Sequence, residues 1–166
     1  MFDDDTGEAL NPAARKLVQE ALAADELALE ANGGAAPTLG PILSSIPVVD
    51  CAEGTYKYVQ VQLSHPDEPG TQLLVVRSYA TCRYHAENYM KLMRILRADE
   101  RTQGVVGRVI GGGRIRFDTA ASPPSCEVYG YSKTFGRVAG CNEKTAAIVR
   151  AHCPGFADVK WSDKGY

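Results

Sequence analysis

An α+β fold is predicted for this 166-residue chain: a mixed β-sheet of about six strands flanked by two helices, with an N-terminal helical or disordered extension. Three observations carry that prediction. From Ile46 onward, short segments with alternating or continuous apolar character recur. Two stretches of helical spacing interrupt them. Clusters of Gly, Pro, Asn and Asp separate the pieces. The resulting order, β-β-α-β-β-β-α-β, suits a mixed sheet with helices packed against it.

Each element has its own signal. KYVQVQLS (57–64) puts Val59, Val61 and Leu63 on one face and Tyr58, Gln60 and Gln62 on the other. SHPDEPG is a turn, and TQLLVVRSY (71–79) is a second strand with a continuous apolar centre. YHAENYMKLMRILRADE (84–100) shows helical spacing through Tyr89, Leu92, Met93 and Leu96. VVGRVI and RIRFD read as two strand pieces separated by Gly111-Gly112-Gly113, and CEVYGYS as another strand. NEKTAAIVRAH (142–152) is a second helix with Asn142 as its cap, and ADVKW is a final strand. Residues 46–166 form the domain. Residues 1–45 stand apart as an extension, with a helix over about 12–31 and a Pro/Gly linker over about 33–45.

Composition narrows the function classes. Hydrophobic content of 45% and charged content of 23% are ordinary for a soluble globular protein. No apolar run approaches the roughly 20 residues that span a bilayer. The acidic start, MFDDDTGEAL, lacks the order of a signal peptide, so a cytoplasmic monomer without nucleic-acid or membrane partners is expected. The five cysteines form no C-x-x-C pair and the three histidines are widely spaced, so neither a metal site nor a cofactor is expected. The net charge of −2 hides a split. Residues 1–31 carry eight acids against two bases, a balance of −6, whereas residues 77–116 carry nine bases against three acids, a balance of +6. The second is either scattered surface arginine or a local field that attracts an anion.

Several anion-handling motifs are absent. A cysteine-dependent phosphatase loop needs an arginine six residues after a cysteine, and those positions hold Lys57, Asn88, Ser132, Ala147 and Val159. GGGRIR has no P-loop lysine, and a lone glycine triplet reads more readily as a bulge or tight crossing. What remains is His85 in RYHAENY, a set of cations, and the glycine/hydroxyl segment YGYSKTFG (129–136). By pattern alone, His85 is either a proton handler or a polar residue opening a helix. The 129–136 segment is either a strand exit or a nest of amides that holds an anion.

Five colinear blocks resolve more than any one motif. GTYKYVQVQL, VVRSYATCRYHAENYMKL, GGGRI, EVYGYSKTFG and VKWSDKGY together resemble the phosphohistidine phosphatase (Janus/Ocnus) family, from about Ile46 to Tyr166. The resemblance implies a small α+β, metal-independent protein phosphatase without cofactor that hydrolyses the P–N bond of phosphohistidine, with phospholysine and other phosphoramidates as related substrates. Its partners would be phosphohistidine-containing proteins. By matching position, His85 corresponds to the family's essential histidine, acting as general base or nucleophile. Lys57, Arg77 and Arg114 correspond to its cations, and Ser132, Lys133 and Thr134 to the loop that holds phosphate. The family often has alanine where Thr134 stands, and tryptophan at or beside Cys82. The alternative within the same family is a catalytically silent phosphoryl- or anion-binding regulator.

Overall fold

A computed structural model describes residues 39–136, 138–156 and 158–164. The helix expected over 12–31 lies outside the described residues. The chain runs α1 (Pro41–Ser44), β1 (Val49–Cys51), β2 (Gly54–Ser64), β3 (Leu73–Ser78), α2 (His85–Ala98), β4 (Val106–Asp118), β5 (Ser125–Tyr129), α3 (Cys141–His152) and β6 (Asp158–Trp161). The strands form one sheet in the order β1-β3-β2-β4-β5-β6. Its outer pairings, β1 with β3 and β5 with β6, are parallel, and the three inner ones are antiparallel. This is the α+β architecture with a mixed sheet that the sequence predicts.

A hydrophobic layer lies on each face of the sheet. Val59, Val61 and Leu63 of β2, with Leu73 and Val75 of β3, cluster with Tyr89, Leu92, Met93 and Leu96 of α2. Those α2 positions recur every three or four residues, so the helix turns one stripe to the sheet. On the other face, Tyr58, Val76, Ile115 and Val128 pack with Ala146, Ile148 and Val149 of α3. Because both faces of β2 are covered, Tyr58 and Gln60 on its other face are buried as well, and Gln62 is half-buried. Gln60 is 1% exposed and donates Nε2 to Thr145 Oγ1 at 2.9 Å and to the Cys141 carbonyl at 3.2 Å. Those bonds avoid a desolvation penalty of about 1–3 kcal/mol for a stranded amide.

Four local details differ from the sequence reading, each for a physical reason. The pieces on either side of the glycine triplet are one 13-residue strand, β4. Gln60 pairs with Gly111 and Val61 with Val109, so Ile110 is an extra residue and the strand bulges next to the triplet. The short strand β1 has three residues, too few to show a period. Within the expected linker, α1 buries Leu43 completely, and the carboxylate of Glu68 accepts from the Ile42 and Leu43 amides at 2.6 and 3.1 Å. Asn142 does not cap the second helix. That helix begins at Cys141 after Gly140, which takes a left-handed φ of 80°. The Asn142 side chain instead accepts from Tyr58 Oη at 2.5 Å and donates to the carbonyls of Gly130 and Ser162, both at 2.8 Å. It therefore fastens β2 to the segment that follows β5.

Candidate functional site

His85 is the first residue of α2, after Tyr84 in extended conformation. Its ring is buried, 8% exposed, and Nε2 lies 2.9 Å from the Gly113 carbonyl oxygen on β4. A carbonyl only accepts, so in the neutral ring Nε2 carries the proton and Nδ1 is the basic nitrogen. The ring reaches that carbonyl because the strand has no side chain at residue 112. A Cβ on Gly112 would stand 2.5 Å from the Tyr58 carbonyl oxygen, 2.9 Å from His85 Cδ2 and 3.6 Å from Ser132 Cβ. Gly112 thus lets β4 pass between β2, the helix start and the 132–136 turn, and it brings His85 and Ser132 together.

The cations gather at the same place. Lys57 and Arg114 are direct cross-strand partners on β2 and β4. The Lys57 ammonium lies 5.3 Å from the centre of the Tyr84 ring, beside the start of α2. Burial lowers the Lys57 pKa, and the charges of Arg114 and Lys133 lower it further, with Glu87 opposing. His85 is brought down to about 4, first by burial, against the Gly113 hydrogen bond that favours the proton, and then by the charges of Lys57 and Arg114. The ring is consequently neutral near pH 7, with the charges of Lys57 and Arg114 acting on it and Lys133 acting on Lys57, and it stands at the positive end of a 14-residue helix. Such a place favours an anion.

The loop at 130–136 is pinned at both ends. Gly130 is held by Asn142 and by its own N–H to the Lys164 carbonyl at 3.1 Å. Ser132 is fully buried, and its carbonyl accepts from Gly136 N–H at 2.7 Å while its Oγ accepts from Phe135 N–H at 3.1 Å. Gly130 and Gly136 both take positive φ, 74° and 86°, which only glycine adopts without strain. Lys133 and Thr134 form the crest between them.

Of the residues matched from the sequence, the structure groups His85, Lys57, Arg114, Ser132 and Lys133, with Thr134 on the same turn. Arg77 has a different task. Its guanidinium donates to the carbonyls of Pro47 (2.5 Å), Val48 (3.1 Å) and Val76 (3.0 Å), holding the segment between α1 and β1 against β3. These bonds go to main chain, and the Tyr79 side chain is a further hydrogen-bond partner.

The sequence reading did not single out Asn88. This residue is fully buried. Its Nδ2 donates to the Lys57 and Tyr84 carbonyls at 3.3 and 3.1 Å, and its Oδ1 accepts from Tyr79 N–H at 2.8 Å. One amide therefore fixes the backbone of Lys57, the residue before His85, and the end of β3. The available signal was a polar residue three positions after His85, on the stripe that α2 turns inward.

The neutral buried ring gives a pH prediction. Between pH 6.5 and about 4 the unfolded chain binds a proton at this histidine and the folded chain does not, so stability falls as pH falls through that window. The contribution of this one group is about 3 kcal/mol at the acid end. An NMR titration of the His85 ring should show a midpoint near 4, and the loss of stability on acidification should shrink in His85→Gln. A midpoint near 6.5 would mean that the ring is solvated.

The Janus/Ocnus family (Ocnus) matches residues 43–157. The chain is also 31% identical over 134 residues to the sex-regulated protein janus-A of Drosophila pseudoobscura pseudoobscura, covering 75% of this chain and 80% of that protein. The matched span contains β1 to β5, the whole site around His85 and all of α3. This chain belongs to the Janus/Ocnus family.

Proposed function

We propose that the protein is a metal-independent phosphohistidine phosphatase, hydrolysing the P–N bond of phosphohistidine in proteins, with His85 as general base. The observation that supports this reading most is the hydrogen bond from His85 Nε2 to the Gly113 carbonyl. It commits one ring nitrogen to the scaffold and leaves Nδ1 unprotonated, on a ring within the field of Lys57 and Arg114, with Lys133 acting on Lys57.

The chemistry asks for little else. Phosphohistidine has a good leaving group, because its imidazole departs neutral when the nitrogen that was not phosphorylated carries a proton. The protein must hold three phosphoryl oxygens, place a water in line and accept one proton. In this reading Lys57 and Arg114 neutralise the phosphoryl oxygens, as cations do in other phosphoryl transfers. The crest of the 132–136 turn, Lys133 and Thr134, supplies further donors, while the amides of Phe135 and Gly136 serve the turn itself. Nδ1 of His85 takes a proton from the attacking water as the new O–P bond forms, and the P–N electron pair leaves with the imidazole.

Chemically phosphorylated polyhistidine is the direct test. Release of inorganic phosphate by the purified protein, at the same rate with and without EDTA, is the expected result. Binding without release would favour the anion-binding regulator, and loss of activity on chelation would overturn metal independence.

A further inference from the structure

Next to the start of α2 lies a second concavity, separate from the cluster around His85. It has a volume of about 270 Å³ and is lined by Thr81 and Cys82, from the loop after β3, and by Glu87, Met90, Lys91 and Arg94, from α2. Its lining is part apolar, since Met90 is exposed to solvent, at 39%. Its charge is unbalanced, with two cations against one carboxylate. Lys91 is already set in place. Its Nζ donates to Thr81 Oγ1 at 3.0 Å and sits 4.6 Å from the centre of the Tyr79 ring, so little of its freedom is left to lose on binding.

The position of this concavity links it to the first site. Glu87 lines it, and the same carboxylate acts on the Lys57 ammonium. From His85 to Arg94 is nine helical steps, about 14 Å along the axis. An extended polypeptide presenting one side chain to His85 covers that distance in about four residues. We propose that the groove formed by Cys82, Met90, Lys91 and Arg94 binds the polypeptide flanking the reacting residue and selects an acidic side chain two to four residues away from it. This rests on the phosphatase reading for the identity of the reacting residue. The occupant is a polypeptide rather than a small anion, because the groove pairs cations with an exposed methionine and lies outside the reach of the phosphoryl group. Met90 adapts to varied apolar neighbours, and the cations choose the sign of the charge.

Three substrates and one variant test the assignment. Phosphoramidate itself has no flanking chain. Labelled phosphohistidine peptides with either Glu or Lys three residues from the modified histidine have one. Wild type should turn over the Glu peptide at least tenfold more efficiently than the Lys peptide in low salt, a difference that high salt reduces. Arg94→Glu should erase or invert that preference and leave kcat/KM for phosphoramidate unchanged. Equal loss on phosphoramidate and peptide, or an unaltered peptide preference, would overturn the groove. Failure of the phosphatase reading looks different, since wild type then turns over none of the three. In that event fluorescence anisotropy of the same labelled peptides still decides, because the groove requires the Glu peptide to bind more tightly and Arg94→Glu to abolish the difference.

Discussion

Replacing His85 by alanine is expected to lower phosphate release from phosphohistidine by about 10²–10⁴-fold, the usual range for loss of a general base. The effect on folding should be far smaller. The ring's hydrogen bond to the Gly113 carbonyl is worth about 0.5–1.5 kcal/mol. Burial already works against the charged ring, so its removal also takes away the acid sensitivity described above. His85→Gln is the control, because its amide can still donate toward Gly113 while offering no basic nitrogen. Both variants should therefore be folded and inactive, as read by circular dichroism and by phosphate release. Either variant retaining a tenth or more of wild-type activity would remove His85 from the reaction. A rapid acid-free quench with radiolabelled substrate separates the two roles open to Nδ1. As a base it leaves no label on the protein, whereas as a nucleophile it carries the phosphoryl group transiently. The fixed Nε2 assigns the same nitrogen to either role, so the labelling result changes the step without moving the site.

How much of this could be read from residues alone follows from the range of each interaction. The α2 stripe of Tyr89, Leu92, Met93 and Leu96, and the Val59–Val61–Leu63 face of β2, are local periodicities, and they are where the sequence places them. Interactions that join distant segments leave no such trace. Lys57 and Arg114 become neighbours only through the β2–β4 register, which a bulge at Ile110 shifts by one residue. Asn142 beside Cys141 has the look of a cap, yet its bonds go to Tyr58, Gly130 and Ser162. Arg77 sits in an apolar strand, and besides its neighbours Val76 and Tyr79 it bonds the main-chain carbonyls of residues 47 and 48, some thirty residues earlier. Asn88 carries the only local hint, a polar side chain on a buried stripe. The grouping of the site was legible through the five family-like blocks rather than through spacing. Those blocks put His85, Lys57, Arg114 and Ser132 in one place, and the structure gives the geometry that makes the grouping physical.

The glycine triplet yields the second large effect. Gly111→Ala and Gly112→Ala add the same methyl group to adjacent residues of one strand, yet they should behave differently. At residue 111 the new Cβ meets side chains, Cys141 Sγ at 2.9 Å and Val138 at 3.3 Å, on the α3 side of the sheet. Small side-chain shifts can absorb that contact, at a cost within the usual 1–3 kcal/mol of overpacking. At residue 112 the Cβ meets the Tyr58 carbonyl oxygen at 2.5 Å, and backbone held in a ladder cannot step aside alone. Relief there requires β2 and β4 to part at the point where Lys57 and Arg114 face each other. The same methyl presses on the His85 ring at 2.9 Å and would push it off the Gly113 carbonyl. The expected loss is more than about 3 kcal/mol, a fall of roughly 10 °C in Tm for a domain of this size. What remains folded at low temperature should release phosphate much more slowly than wild type, whereas Gly111→Ala should keep nearly full activity per folded molecule. Thermal melts with activity measured well below each Tm separate the two effects. A Gly112→Ala protein with wild-type Tm and activity would show that β4 does not run this close to His85, and with it the reason for a glycine here would go. The requirement is one of space rather than of backbone angle, since none of the three glycines takes a positive φ. A residue that looks in sequence like a strand breaker is, in the fold, what lets two strands, a helix start and a serine turn meet at one histidine.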